Sequence, residues 1–187
     1  ENKTILVTAS AKRLGKFIIT DLVEAGWSIA LHYNKSKKLA EETAEELIKI
    51  GGKVNLYQAD LAKKSDIEKL IKNIEVNESL WVGLINNAGY FNYDNSNNFN
   101  FDDLYSHMSV NFTAPAILTQ ALANYTIKMQ KQKKNAQGFV INILDAKIFG
   151  LNQDYYTYPL SKHAMYGLTK MSALSYSSCL RVNGIAP

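Results

Sequence analysis

Short runs of β-branched and aliphatic residues alternate along this chain with stretches of helical periodicity, and this alternation restricts the fold more than any other feature. Thr4-Ile5-Leu6-Val7-Thr8 reads as a buried strand, and Leu14, Ile18 and Leu22 then recur every four residues on one helical face. Residues 28–33 read as a second strand, followed by a helix bearing Leu39, Thr43, Leu47 and Ile50 that Gly51-Gly52 ends. The unit repeats with a strand over 53–57 and a helix marked by Ile67, Leu70, Ile71 and Ile74. A fourth strand over 80–85 runs into Asn86-Asn87-Ala88-Gly89 and an Asn-rich loop. Residues 101–134 read as one long helix with Leu104, Met108, Phe112, Leu118, Leu122 and Tyr125 inward and Pro115 as a kink. A fifth strand covers 139–144, Pro159 opens a helix carrying Ala164, Leu168, Met171 and Leu174, and a sixth strand covers 181–186.

Strands that are apolar throughout are buried on both faces, and strand–helix repetition gives parallel pairing through right-handed crossovers. The expected fold is a Rossmann-like, doubly wound α/β sheet of six strands in the order 3-2-1-4-5-6. At 187 residues with 47 % hydrophobic and 20 % charged positions, the chain makes one domain, residues 1–187, and is neither disordered nor fibrous. A lone Cys179 builds no internal disulfide, so a reducing, cytoplasmic setting is expected. No apolar run approaches the ~18 residues of a membrane span. The net charge of +4 comes from 19 lysines with only Arg13 and Arg181, and lysines such as Lys128, Lys131, Lys133 and Lys134 fall on helical segments. They read as solvated helix faces, so neither nucleic acid nor membrane is an expected partner. His32, His107 and His163 lack ligand spacing with carboxylates, are read as structural or surface residues, and imply no metal.

Doubly wound sheets bind ligands beyond the carboxyl ends of their strands, so the segments after Thr8, Tyr33, Tyr57, Asn87 and Leu144 are the candidate site. The first turn, Thr8-Ala9-Ser10-Ala11-Lys12-Arg13-Leu14-Gly15, lies where such folds set a pyrophosphate against a helix N-terminus. Tyr158 and Lys162 are one helical turn apart, which brings a phenol and an ammonium to one face. A cation within ~4–6 Å lowers a tyrosine pKa from its reference of about 10.

These residues resemble the short-chain dehydrogenases/reductases. The Ala-Lys-Arg-Leu-Gly portion of the turn is similar to the pteridine reductase branch, in which arginine replaces the middle glycine. Ala9 departs from the family's glycine; a positive φ there costs on the order of 1 kcal/mol, so either the turn relaxes or cofactor affinity falls. The resemblance implies a cofactor site from Thr8, Ser10, Arg13, Leu14 and Gly15, with Asp60-Leu61 at the adenine and Asn87, Ala88 and Gly89 on the adenosine side. It implies that Asn111 holds a water in a proton relay and that Tyr158-Pro159-Leu160-Ser161-Lys162 is the Tyr-x-x-x-Lys signature, with Lys162 also on the nicotinamide ribose. Asp145 stands where most of the family has serine. As the pteridine reductase resemblance implies, it passes protons with Tyr158 to ring nitrogens, the alternative being a cap on the following turn. Phe91 falls where that branch stacks a phenylalanine on the pterin, with Arg13 as a further substrate contact, whereas Gly89 follows the general family pattern.

After the second strand, His32-Tyr33-Asn34-Lys35-Ser36 lacks the carboxylate that would bind a ribose 2′-hydroxyl. Tyr33, Lys35 and Ser36 with Arg13 suit a 2′-phosphate, so NADPH (NADP when oxidised) is the expected cofactor. The expected activity is reduction of a pterin- or dihydrofolate-like C=N bond. The alternatives are a carbonyl or 3-oxoacyl reductase and an inactive scaffold or dimer partner. The resemblance further implies a homodimer or homotetramer paired through residues 101–134 and 158–177, and a covering loop, helix and last strand beyond Pro187.

Overall fold

A computed structural model describes residues 2–132, 136–151 and 153–187 of the chain. The strands are β1 (Lys3–Val7), β2 (Ser28–Tyr33), β3 (Val54–Gln58), β4 (Leu80–Asn86), β5 (Gly138–Ile143) and β6 (Leu180–Ile185). They form one parallel sheet in the order β3-β2-β1-β4-β5-β6, as the alternation predicts. The helices are α1 (Arg13–Glu24), α2 (Lys37–Lys49), α3 (Lys64–Asn77), α4 (Phe101–Met108), α5 (Ala114–Lys131) and α6 (Thr157–Ser175). One face of the sheet packs Ile5, Val7, Ile29 and Leu31 against Ile19 and Val23 of α1 and Leu47 of α2. The other packs Trp81, Leu84 and Val140 against Leu70 and Ile74 of α3 and Leu118 and Leu122 of α5.

Every residue of β2 and of β4 is buried, as two-sided burial requires. The expectation of two-sided burial fails at β3, β5 and β6. β3 and β6 are the edges of the sheet, where only Tyr57 and only Leu180 and Val182 are buried, and in β5 buried and half-buried positions alternate.

Three helical faces differ from the sequence expectation. In α1 the buried positions are Gly15, Ile19 and Val23, one residue round from Leu14, Ile18 and Leu22. A Cβ at Gly15 would lie 2.6 Å from the Ala9 carbonyl oxygen and 2.7 Å from Asn87 Nδ2, so this glycine must face the β1 turn and thereby sets the rotation of the helix. Similarly, α2 turns Ala40, Thr43, Ala44 and Leu47 inward and leaves Leu39 and Ile50 exposed. In α6, which begins at Thr157 rather than at Pro159, the inward positions are Met165, Thr169 and Ser172, and Met171 and Leu174 are exposed.

The long helix read over 101–134 is divided. A π turn at Ser109–Thr113 separates α4 from α5, and Lys133 and Lys134 lie outside the described residues. Pro115 explains the break: it has no N–H for the carbonyl four residues back, which belongs to Asn111. The polar residues His107, Ser109 and Asn111 are buried around this turn.

Candidate active site

At the carboxyl end of β1 the chain makes a turn whose main-chain groups are held by the side chains of Thr8, His32 and Asn87. Ala9 adopts φ +51° and Arg13 φ +52°, so the turn is tight and left-handed at the alanine and does not relax. The Ala9 N–H donates to His32 Nδ1 (3.0 Å), and Asn87 Nδ2 donates to the carbonyls of Thr8 (2.9 Å) and Ala9 (3.2 Å). Thr8 Oγ1 accepts from the amides of Asn87 and Ala88, both at 2.9 Å. Thr8 and Asn87 thus stitch β1 to β4.

His32 is buried at the end of β2. Because its Nδ1 accepts from Ala9, its Nε2 carries the proton and donates to the Ala59 carbonyl (3.1 Å). Burial lowers its pKa to about 4, against opposing contributions from the Ala59 carbonyl and Asp60, so the ring is neutral near pH 7. Ser10, expected to face a cofactor, is fully buried and turns its hydroxyl back to the Val7 carbonyl (2.8 Å), so its side chain does not reach the groove.

Beside this turn runs a groove of about 630 Å³ lined by Ala9, Lys12, Tyr33, Asn34, Lys35, Ser36, Asp60 and Tyr90, among others. A second hollow, bounded by Leu61, Ala88, Gly89 and Tyr90, adjoins it under the strand ends. A third, bounded by Lys12, Arg13, Leu14, Gly15, Asn87 and Gly89, lies beside the turn. Tyr33, Lys35, Ser36, Asp60, Leu61, Arg13, Leu14, Gly15, Asn87, Ala88 and Gly89 therefore all border one continuous depression. Asp60 also braces the following turn, accepting from the Ala62 N–H (3.1 Å).

On the other side of β4, Tyr158, Asp145 and Lys162 come together. The Tyr158 hydroxyl donates to Asp145 Oδ2 (2.8 Å), while Asp145 Oδ1 accepts from the Lys147 N–H (2.8 Å). Asp145 therefore both caps the short 3-10 turn Ala146–Ile148 and contacts the phenol. Lys162 Nζ donates to the Ile143 carbonyl (2.8 Å) and lies 5.8 Å from the centre of the Tyr158 ring.

The expected depression of the Tyr158 pKa is overturned. Burial pushes the phenol up, and the bond to Asp145 pushes it further, because ionising it would put a phenolate beside a carboxylate. Tyr158 is a protonated donor, and burial brings the Lys162 ammonium down to about 8.

Asn111, fully buried, spends its side chain on structure. Its Oδ1 accepts from the Tyr90 N–H (2.7 Å), and its Nδ2 donates to the Tyr90 carbonyl (2.9 Å) and Ser161 Oγ (2.9 Å). Its main-chain carbonyl is the group that Pro115 deprives of a helical donor. Phe91 meets Tyr158 edge-on (4.7 Å) and lies stacked on Tyr155 (4.4 Å, 23°), which also meets Tyr93. Phe91 is 56 % exposed, so this aromatic wall is open to solvent beside Tyr158.

Several residues of the site are not among those singled out from the sequence. Tyr155, held at φ +60°, supplies half of the aromatic wall, and Lys147 Nζ lies 4.6 Å from its ring centre. Its place three residues before Tyr158 is the only sequence signal for it. The histidines read as structural are buried links in two cases: His32 holds the first turn, and His107 meets both Tyr90 (4.8 Å) and Tyr158 (6.0 Å). The third, His163, is half-buried and bonds within its own helix, to the Pro159 carbonyl. Among the described residues, no helix is long and apolar enough to cross a membrane.

Comparison with known proteins agrees with this geometry. The chain is 29 % identical over its whole length to an uncharacterized oxidoreductase of Thermotoga maritima, spanning 71 % of that protein. It is 28 % identical to a 3-oxoacyl-(acyl-carrier-protein) reductase of Staphylococcus epidermidis, spanning 74 % of it. Its backbone superposes with a TM-score of 0.90 on the FolM alternative dihydrofolate reductase 1 of Brucella canis, complexed with NADP, at 31 % identity over 100 % of this chain and 73 % of that one. Residues 3–187 match the family described as short chain dehydrogenase, and the chain belongs to that family of oxidoreductases.

Proposed function

We propose that the chain is an NADPH-dependent reductase acting on a C=N bond of a pterin- or dihydrofolate-like ring. The observation that carries this reading is the 2.8 Å bond from Tyr158 to Asp145, a carboxylate at the position where a ketone reductase has a serine to donate to a carbonyl. The likeness to a dihydrofolate reductase complexed with NADP supports it.

The residues fit the cofactor. Gly15, packed directly against the Ala9 carbonyl and the Asn87 side chain, lets the first turn of α1 sit close to the turn where a pyrophosphate approaches. Lys12, Lys35 and Ser36 border the groove beside β2, where a 2′-phosphate needs cations and a hydroxyl, and Arg13 borders the adjoining hollow. Asp60 and Leu61 flank the adenine end. The nicotinamide cofactor, when bound, supplies the hydride. Phe91 presents a flat face for a heteroaromatic ring, and the Tyr158 hydroxyl gives its proton to the ring nitrogen as the carbon receives the hydride. Asp145 fixes the phenol's direction, and the Lys162 ammonium offsets the negative charge that develops on its oxygen.

A carbonyl or 3-oxoacyl substrate is the competing reading, favoured by the Staphylococcus relative. Asp145→Ser separates the two. On the pterin reading, kcat with a dihydropterin falls by roughly 10²-fold or more while NADPH affinity, read by fluorescence titration, is retained. Undiminished dihydropterin turnover by that variant sinks the pterin mechanism. The same reading has two copies of the chain pair through α4, α5 and the exposed Leu160, Met171 and Leu174 of α6, in the cytoplasm. Light scattering at micromolar concentration reads the pairing.

A further inference from the structure

The helix that carries Tyr158 and Lys162 has no cap of its own: Tyr156, at its N-cap position, is in a helical conformation and makes no capping bond through its side chain. Its first amides are met instead from the loop after β4. Asp94, 2 % exposed, accepts from the Tyr156 N–H at its carbonyl (3.2 Å), from the Thr157 N–H at Oδ1 (3.0 Å) and from the Thr157 hydroxyl at Oδ2. A carboxylate at that point also faces the positive end of the helix dipole. Thr157 Oγ1 is in turn 2.8 Å from His107 Nδ1, and His107 Nε2 is 3.2 Å from the Asn92 N–H.

Counting donors leaves one arrangement. A backbone N–H can only donate, so Nε2 must accept from Asn92. The neutral ring's single proton is therefore on Nδ1 and is given to Thr157 Oγ1, whose own proton goes to Asp94. Both His107 and Thr157 are fully buried, and burial lowers the His107 pKa, consistent with a neutral ring.

We infer that Asp94, Thr157 and His107 form a latch locking the loop that presents Phe91 onto the helix that presents Tyr158, with His107, as its Nδ1–H tautomer, the positioning residue that fixes their spacing. The latch is closed at both ends: Asp94 follows Phe91 by three residues and Asn92 by two, while Thr157 directly precedes Tyr158. It sets the 4.7 Å edge contact between the Phe91 and Tyr158 rings and leaves the nucleotide groove to other residues.

The test has one arm that needs no substrate and one that does. Nitrogen-15 NMR of the histidines in the unaltered chain at pH 7 is expected to show His107 protonated at Nδ1 and bare at Nε2; protonation at Nε2 overturns the inference. Hydrogen exchange at the Asn92 amide is expected to speed up roughly tenfold in His107→Phe and Thr157→Val and to return to normal in Thr157→Ser, with NADPH affinity retained in all three. In His107→Phe and Thr157→Val kcat falls, in Thr157→Ser it is retained, and the NADPH dissociation constant does not move in any of the three. Unchanged Asn92 protection in His107→Phe overturns the latch. Should no pterin or carbonyl be turned over, the reductase reading fails alone, because the tautomer and exchange readouts still decide this one.

Discussion

At the nucleotide end of the groove, Ala9 is held in a left-handed conformation with its N–H on the neutral His32 ring and its carbonyl on the Asn87 side chain, and a glycine is wedged against its backbone. At the substrate end, an exposed loop and the start of α6 are joined by side chains: Asp145 to Tyr158, Asn111 to the Tyr90 main chain, and the Asp94–Thr157–His107 chain. Each end has a buried histidine, but in opposite tautomers. His32 accepts at Nδ1 because a turn amide points at it, and His107 accepts at Nε2 because a loop amide does. The nucleotide end is therefore sensitive to backbone room and the substrate end to side-chain chemistry, which matches a constant cofactor and a family-variable substrate.

The sharpest way to break this comparison is to add a methyl group at two glycines of the nucleotide end, one wedged against the first turn and one in open space. In Gly15→Ala the new Cβ would lie 2.6–2.7 Å from the Ala9 carbonyl, Asn87 Nδ2 and the Ser10 Cα, two of them backbone atoms that cannot step aside. The expected loss is about 3 kcal/mol of stability, the top of the overpacking range, read as a lower urea midpoint. In Gly89→Ala the new Cβ has only Asn111 Oδ1 near it, at 3.9 Å, so stability should stay within about 0.5 kcal/mol. Equal losses at the two glycines would show that the close approach of Gly15 to the first turn is not what makes the nucleotide end intolerant of added bulk.

Much of the nucleotide end was legible in the sequence because its determinants are local. Gly15, Asn87 and the strand ends announce a turn-and-groove arrangement by residue type and order, and the sheet order follows from the alternation alone. The rotation of α1 was not legible, since Leu14, Ile18 and Leu22 also make an apolar stripe, and only the contact of Gly15 with a turn on another strand decides between the stripes. In α6 the stripe of Leu168, Met171 and Leu174 was the more apolar one, and the inward face is instead built from Met165, Thr169 and Ser172, with Thr169 accepting from the buried Asn142 of β5. The substrate end hides its determinants further. The Asp94–Thr157–His107 chain joins residues 50 to 63 positions apart, and no spacing rule connects them. The direction of the Tyr158 pKa was not legible because a lysine one turn away is visible in the sequence, whereas the burial of the phenol, the larger influence on it, is not.

Acid probes the two histidines together, and His32 dominates. Its folded pKa of about 4 lies below the unfolded 6.5, so the neutral ring favours the fold. That stability is fully present above pH 6.5 and is lost as pH falls towards 4. At 1.36 kcal/mol per unit, the shift is worth about 3 kcal/mol at neutral pH. Urea unfolding is expected to show a steady fall in stability from pH 6.5 to 4, with loss of the first turn's protection from exchange leading. His107 adds in the same direction, its pKa being lowered by burial as well. In His32→Gln, the amide oxygen accepts at all these pH values and the slope should flatten. A wild-type profile that is already flat over this interval would remove His32 from its role.

The smallest effect is the one the sequence made look largest. Alanine in place of glycine at position 9 costs on the order of 1 kcal/mol in a left-handed conformation, which suggested weaker cofactor binding. The structure places that penalty elsewhere. Ala9 already has φ +51° with its amide on His32 and its carbonyl on Asn87, so the strain is incurred on folding rather than on binding. Ala9→Gly relieves it, but glycine also gives the unfolded chain more freedom, worth about 0.4–1 kcal/mol, and the two changes nearly cancel. Thermal unfolding should therefore move by less than about 1 kcal/mol in either direction, and the NADPH dissociation constant by no more than about twofold. A tenfold tighter NADPH complex in Ala9→Gly would mean that the free turn springs away from this conformation and that His32 and Asn87 do not hold it. The backbone rigidity that distinguishes the nucleotide end from the substrate end would then be a property of the complex alone.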